Sequence, residues 1–133
     1  MVLKTKKNLL PRADIQLLIV DDEEGIRDSL AMNFEIDGFK VIVAGNGHEA
    51  IELLKTKKID FIISDVRMPK ADGVILLKYV AEFHKDSPKI VLVSGFTELS
   101  TTEAIELGAL DLMQKPPCIS RLVELIQKHC HCI

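Results

Sequence analysis

The chain has 133 residues, 47% hydrophobic and 28% charged, with a net charge of −3; that length fits one domain with its own core, and the slight acidity gives no electrostatic footprint for nucleic acid. Only 5% is aromatic and there is no Trp, so the core must be mostly aliphatic, and no apolar run reaches the length needed to span a bilayer. Three cysteines, an odd number, argue against a disulfide framework and suit a reducing compartment, so a soluble cytoplasmic protein without membrane contact is expected.

Residues 1–13 carry Lys4, Lys6, Lys7 and Arg12 without an acid, which reads as a flexible basic lead-in with no signal-peptide core behind it. The first strand, residues 15–20, runs straight into Asp21-Asp22-Glu23-Glu24. A helix follows with Ile26, Leu30 and Phe34 at i, i+4 and i+8 and Ala31 beside them, and its start suits the carboxylates because they favour the positive end of the helix dipole. Glu23 and Glu24 read as the capping acids. Asp37-Gly38 ends this helix, Lys40–Ala44 forms the second strand, and Gly45-Asn46-Gly47 turns into a helix with Ala50, Ile51 and Leu54 on one face.

The third strand, Phe61-Ile62-Ile63-Ser64, stops on Asp65 and enters the loop Pro69-Lys70-Ala71-Asp72-Gly73. A helix through Leu76, Leu77, Val80 and Ala81 to Phe83 is broken by Asp86-Ser87-Pro88. The fourth strand begins at Lys89 and ends on Ser94-Gly95; a short helix with Ala104, Ile105 and Leu107 is capped by Gly108. Asp111–Gln114 is a short fifth strand leading into Lys115-Pro116-Pro117, and the last helix carries Leu122, Ile126 and Cys130 at i, i+4 and i+8. Residues 14–129 are expected to form the domain and 130–133 a tail.

Five strand–helix pairs in strict alternation argue for a parallel sheet covered by helices on both faces, with right-handed crossovers. The favoured arrangement is a doubly wound α/β fold in the flavodoxin-like order 2-1-3-4-5, whose switch point lies between strands one and three. Asp21 and Asp22, Asp65, Ser94 and Lys115 then end four strands at one edge. Three carboxylates packed together repel one another unless a cation joins them, and oxygen-only ligands suit Mg²⁺, which keeps several waters and leaves room for a phosphate oxygen. A lysine and a hydroxyl nearby would serve a phosphoryl group, and Asp65 could itself be the nucleophile.

In these residues the chain resembles a known family, the receiver domain of bacterial response regulators in two-component signalling. The resemblance rests on Val20-Asp21-Asp22-Glu23, on Asp65-Val66-Arg67-Met68-Pro69 followed by Asp72-Gly73, on Val93-Ser94-Gly95 and on Lys115-Pro116, and it covers residues 14–129. It implies a phosphorylation-dependent signalling module, not a turnover enzyme. Asp65 would take a phosphoryl group from the phosphohistidine of a sensor histidine kinase or histidine phosphotransfer protein. Asp21, Asp22, Asp65 and the backbone carbonyl of Arg67 would hold Mg²⁺. Ser94 would be the switching hydroxyl, Gly95 the small residue that keeps the site open, and Lys115 the phosphate-binding lysine, joined to Pro116 by a cis bond. Leu112 departs from the family, which usually has Tyr or Phe three residues before the lysine. Arg67 and Phe96 flank the expected entrance, where Phe96 would slow hydrolysis of the aspartyl-phosphate.

Blander readings accompany these. Asp21 to Glu24 alone would be a helix cap, Ser94 a polar strand end, and Lys115 a solvated lysine. Cys118, His129, Cys130, His131 and Cys132 are spaced too tightly for a usual zinc site; Cys130 reads as core, and His131 and Cys132 as a frayed tail. A Mg²⁺-dependent phosphatase with an aspartyl nucleophile would need Asp-x-Asp on the first strand, where this chain has adjacent acids. A flavodoxin-like cofactor binder would need a hydroxyl- and glycine-rich loop in place of Asp-Asp-Glu-Glu. The chain is expected to carry no nucleic-acid-binding domain after the fifth helix. Stand-alone receiver or excised part of a longer regulator, and a phosphorylation-dependent homodimer through the last helices, both stay open.

Overall fold

Runs such as Leu17-Leu18-Ile19-Val20 and Phe61-Ile62-Ile63 have no polar face, which suits strands covered on both sides. In the computed structural model, which describes residues 8–68, 70–95 and 99–133, these runs are central strands of a five-stranded sheet. The strands are β1 (Gln16–Val20), β2 (Lys40–Ala44), β3 (Phe61–Asp65), β4 (Lys89–Ser94) and β5 (Asp111–Gln114), in the order β2-β1-β3-β4-β5. All four pairings are parallel, the flavodoxin-like order expected. The helices between them are α1 (Glu24–Ile36), α2 (Gly47–Thr56), α3 (Gly73–Phe83), α4 (Thr101–Glu106) and α5 (Ile119–Cys130).

Because side chains alternate along a strand, each central strand feeds two cores. Leu18, Val20, Ile62, Ile90 and Leu92 pack with Ala50 and Leu54 of α2, Leu76, Leu77 and Val80 of α3 and Ala104 of α4. Leu17, Ile19, Phe61, Ile63, Val91 and Val93 pack on the other face with Ala31 and Phe34 of α1 and Leu122, Leu125 and Ile126 of α5. Among the described residues the core is mostly aliphatic, with Phe34, Phe39 and Phe61 as its aromatic members. Side-chain caps stop three helices from leaving orphan amides: Asn46 on α2, Asp72 on α3, and a reciprocal Ser100–Glu103 box on α4.

Register does the positioning. Val20 pairs with Ser64, so Asp21 follows β1 at the level of Asp65; Asp65 pairs with Val93, and Ser94 with Gln114. The polar residues that end β1, β3, β4 and β5 therefore meet at one edge. The loop leaving β3 is clipped there, with the Gly73 amide donating to the Val66 carbonyl (2.9 Å) and the Gly47 amide to the Ala71 carbonyl (2.8 Å).

Two expectations need correction. Ile26 shares the buried period of α1 with Leu30 and Phe34 but is 41% exposed; it lines an open groove with Leu30, Pro116, Pro117 and Ile119. His131 and Cys132 are not frayed, and the lead-in from Leu10 onward is not free. Leu10 and Cys132 form a parallel bridge, in which the Leu10 amide donates to the His131 carbonyl (2.8 Å) and the Ile133 amide to the Leu10 carbonyl (3.0 Å). Arg12 donates to the carbonyls of Ile133 (2.7 Å) and Asp37 (3.1 Å) and stacks over Phe39. Backbone groups that would otherwise seek water find partners, and Cys132 is buried against the α1–α5 core. Lys4, Lys6, Lys7, Pro69 and Phe96 lie outside the described residues.

Candidate functional site

Asp65 ends β3 and is only 8% exposed. Its Oδ2 accepts a hydrogen bond from Lys115 Nζ at 2.9 Å, and the same ammonium donates to Asp21 Oδ2 at 3.1 Å. Asp21 prolongs β1, its amide donating to the Ala44 carbonyl at 3.1 Å and its Oδ1 accepting from the Glu23 amide at 2.9 Å. Asp22 is exposed, yet one carboxylate oxygen each of Asp21, Asp22 and Asp65 lies within 4.8 Å of the others. A cavity of about 220 Å³ opens beside Asp22 and Asp65, lined by these two with Glu23, Arg67, Ser94, Gly95 and Lys115.

Burial raises the Asp65 carboxyl above its ordinary value. Lys115 and the Arg67 backbone N–H pull it back down, while the Asp21 charge adds to the rise. Burial works against the Lys115 charge, but hydrogen bonds to Asp65 and Asp21 outweigh it and hold the ammonium above its usual range. Three carboxylates against one ammonium leave a surplus of negative charge. A compact set of hard oxygen donors carrying that surplus fits a small divalent cation such as Mg²⁺.

The structure thus brings Asp22, Asp65, Ser94 and Lys115 to one cavity, with Arg67 on its wall, and Asp21 joins them through Lys115. Leu112 stands apart, half-buried in β5 and packed toward the α2–α3–α4 core. The Lys115–Pro116 bond is cis, and so is Ser87–Pro88, which had no sequence signal. Glu23 does not act as the cap its position suggests. It occupies the N-cap position of α1, but its side chain makes no capping bond; Oε1 instead lies 3.9 Å from Lys115 Nζ. Its adjacency to Asp21-Asp22 was the available signal. Among the described residues the only metal-compatible cluster is the acidic one. The terminal His/Cys run forms none, and burial pushes the Cys130 thiol up to about 12.

A parallel α/β sheet whose C-terminal edge gathers acids around a lysine defines a class of phosphoryl-accepting signalling modules rather than conventional enzymes. The family model described as response regulator receiver domain matches residues 17–127, and the chain belongs to that family. It is 39% identical over 101 residues to the alkaline phosphatase synthesis transcriptional regulatory protein PhoP of Bacillus subtilis, covering 76% of this chain and 42% of that one. Among solved structures it is similar to the receiver domain of a Francisella response regulator (28% identity, TM-score 0.79, 87% of this chain and 96% of that one). It is also similar to a response regulator of Thermotoga maritima solved in complex with Mg(2+)-BeF (26% identity, TM-score 0.77, 86% and 98%). The chain spans 24% to 43% of the length of the first curated relatives it matches.

Proposed function

We propose that Asp65 accepts a phosphoryl group from the phosphohistidine of a sensor histidine kinase or histidine phosphotransfer protein, and that its loading shifts an inactive–active equilibrium that controls output. The observation that carries this reading is the Lys115 ammonium, bridging Asp21 at 3.1 Å and Asp65 at 2.9 Å from positions 94 and 50 residues away. In the transfer a carboxylate oxygen of Asp65 attacks phosphorus. The new P–O bond forms, the P–N bond breaks, and the imidazole leaves with that electron pair. Lys115 stays charged and balances the phosphoryl oxygens.

Asp21, Asp22, Asp65 and the Arg67 backbone carbonyl are the proposed Mg²⁺ ligands, a role supported by the oxygen-only donor set and by the Mg(2+)-BeF complex of the Thermotoga relative. When bound, the ion supplies positive charge for the phosphoryl oxygens. Ser94, buried at the end of β4 and lining the cavity, is the proposed hydroxyl donor to a phosphoryl oxygen. A Cβ on Gly95 would meet nothing within 4 Å, in keeping with an open site. Leu112 has neither ring nor hydroxyl, so the proposed readout rests on Ser94, with Leu112 contributing packing on β5.

The signalling domain proper is taken as residues 14–129, working in the cytoplasm; among the described residues no helix is long and apolar enough to cross a membrane. At a net charge of −3 the chain itself is not proposed to contact nucleic acid. Output passes to a protein partner or to a second copy on phosphorylation, and solution mass with and without beryllofluoride separates the two. Asp65→Asn should abolish labelling by acetyl phosphate with Mg²⁺, read by intact mass. Label retained in that variant would place the acceptor elsewhere.

A further inference from the structure

Lys115 is approached by Asp65 at 2.9 Å, Asp21 at 3.1 Å and Glu23 at 3.9 Å. Asp21 and Asp65 belong, with Asp22, to the group that could share a cation; Glu23 lies outside it. Its side chain is 62% exposed, against 8% for each of Asp21 and Asp65. Its backbone is pinned on both sides, the amide donating to Asp21 Oδ1 (2.9 Å) and the carbonyl accepting the Arg27 N–H (2.9 Å). Glu23 lines the 220 Å³ cavity, and its largely exposed carboxylate stands 3.9 Å from the lysine.

We propose that Glu23 determines rate and donor specificity at this pocket. It places a negative charge at the mouth that no ligated cation would take up, which slows loading of Asp65 by small, freely diffusing dianionic phosphoryl donors. A donor carried on a docked protein partner is favoured in comparison, because the energy of docking brings its phosphoryl group past that charge. The inference rests on the reading of Asp65 as acceptor. An exposed pair at 3.9 Å adds little to stability. Its field is nevertheless felt by a dianion approaching within the screening length of about 10 Å at 0.1 M salt.

The test is the rate of Asp65 labelling by acetyl phosphate in the full chain, at saturating Mg²⁺ and low ionic strength. In the loading step the Asp65 carboxylate displaces acetate, which leaves with the electrons of the broken P–O bond. Glu23→Gln should load roughly three- to tenfold faster than the parent, Glu23→Lys faster still, and Glu23→Asp at about the parental rate. The gain should shrink as added salt shortens the screening length toward about 3 Å at 1 M, and it should be smaller with the less charged phosphoramidate. Equal rates for the parent and Glu23→Gln at low salt, or a gain that salt leaves unchanged, would overturn the proposal. Asp65→Asn is the control. If it loses label while Glu23→Gln changes nothing, only the role of Glu23 fails; if it keeps label, the acceptor assignment fails and the role of Glu23 with it.

Discussion

Asp65 has to be buried to be held and ionised to act, and the two demands conflict. Burial is the largest influence on its carboxyl and raises it above the ordinary value. The unfolded chain releases that proton at the ordinary carboxylate value, so between the two values the unfolded state ionises more readily. The stability linked to this group is therefore full below the unfolded value and lost as pH rises through the folded one. Removing the charge should help the fold at neutral pH even as it removes the chemistry. Metal-free Asp65→Asn is expected to melt roughly 2–4 °C above the parent at pH 7. The gain should vanish in acid, where both side chains are neutral. Melting curves across that range check it, and a lower midpoint at pH 7 would show that Asp65 stabilises the fold through Lys115 more than its burial costs.

The connection from β3 to α3 holds the acceptor in place by lack of space. A Cβ on Gly73 would overlap the Asp65 carbonyl oxygen and stand 3.1 Å from Val66 Cα. One on Gly47 would come 2.6 Å from the Ala71 carbonyl oxygen, tying the start of α2 to the same loop. Neither glycine has a positive φ, so the requirement is room rather than backbone freedom. Gly73→Ala should cost about 1–3 kcal/mol in denaturant unfolding, as overpacking does, and should slow Asp65 labelling because the displaced atoms belong to Asp65 itself. Gly25→Ala is the contrast. Nothing lies within 4 Å of its added methyl, so helix propensity alone acts and stability should be equal or higher by up to about 1 kcal/mol.

Across the whole molecule the two edges of the sheet do different work. The C-terminal edge collects the charged site, while at the other edge Leu10, Arg12, Asp37, Phe39 and residues 131–133 are bound together. Arg12→Ala removes two charge-assisted hydrogen bonds and a ring contact, which should lower unfolding stability by about 1–3 kcal/mol. Asp65 labelling should stay at the parental rate, since the change is confined to the opposite edge. A fall in labelling with stability unchanged would mean the two edges are coupled.

The sequence by itself determined the strands, their parallel order and the acids at their ends. Apolar runs such as Phe61-Ile62-Ile63, the alternation of strand and helix signals, and carboxylates placed straight after apolar runs are all local patterns. It carried Asp21, Asp22, Asp65, Ser94 and Lys115 to one edge without a distance between them. Only the tertiary structure decided that one ammonium bridges Asp21 and Asp65, that Glu23 turns toward Lys115 instead of capping α1, and that Leu10 meets Cys132. Ile26 fits the buried helical period, yet it faces an open groove beside Pro116 and Pro117 and stays exposed. The physical reason is common to these cases. A hydrophobic period is written within a few neighbouring residues, whereas register, the exposure of a helix end and the choice of ionic partner are fixed by groups that meet from distant parts of the chain once the sheet has formed.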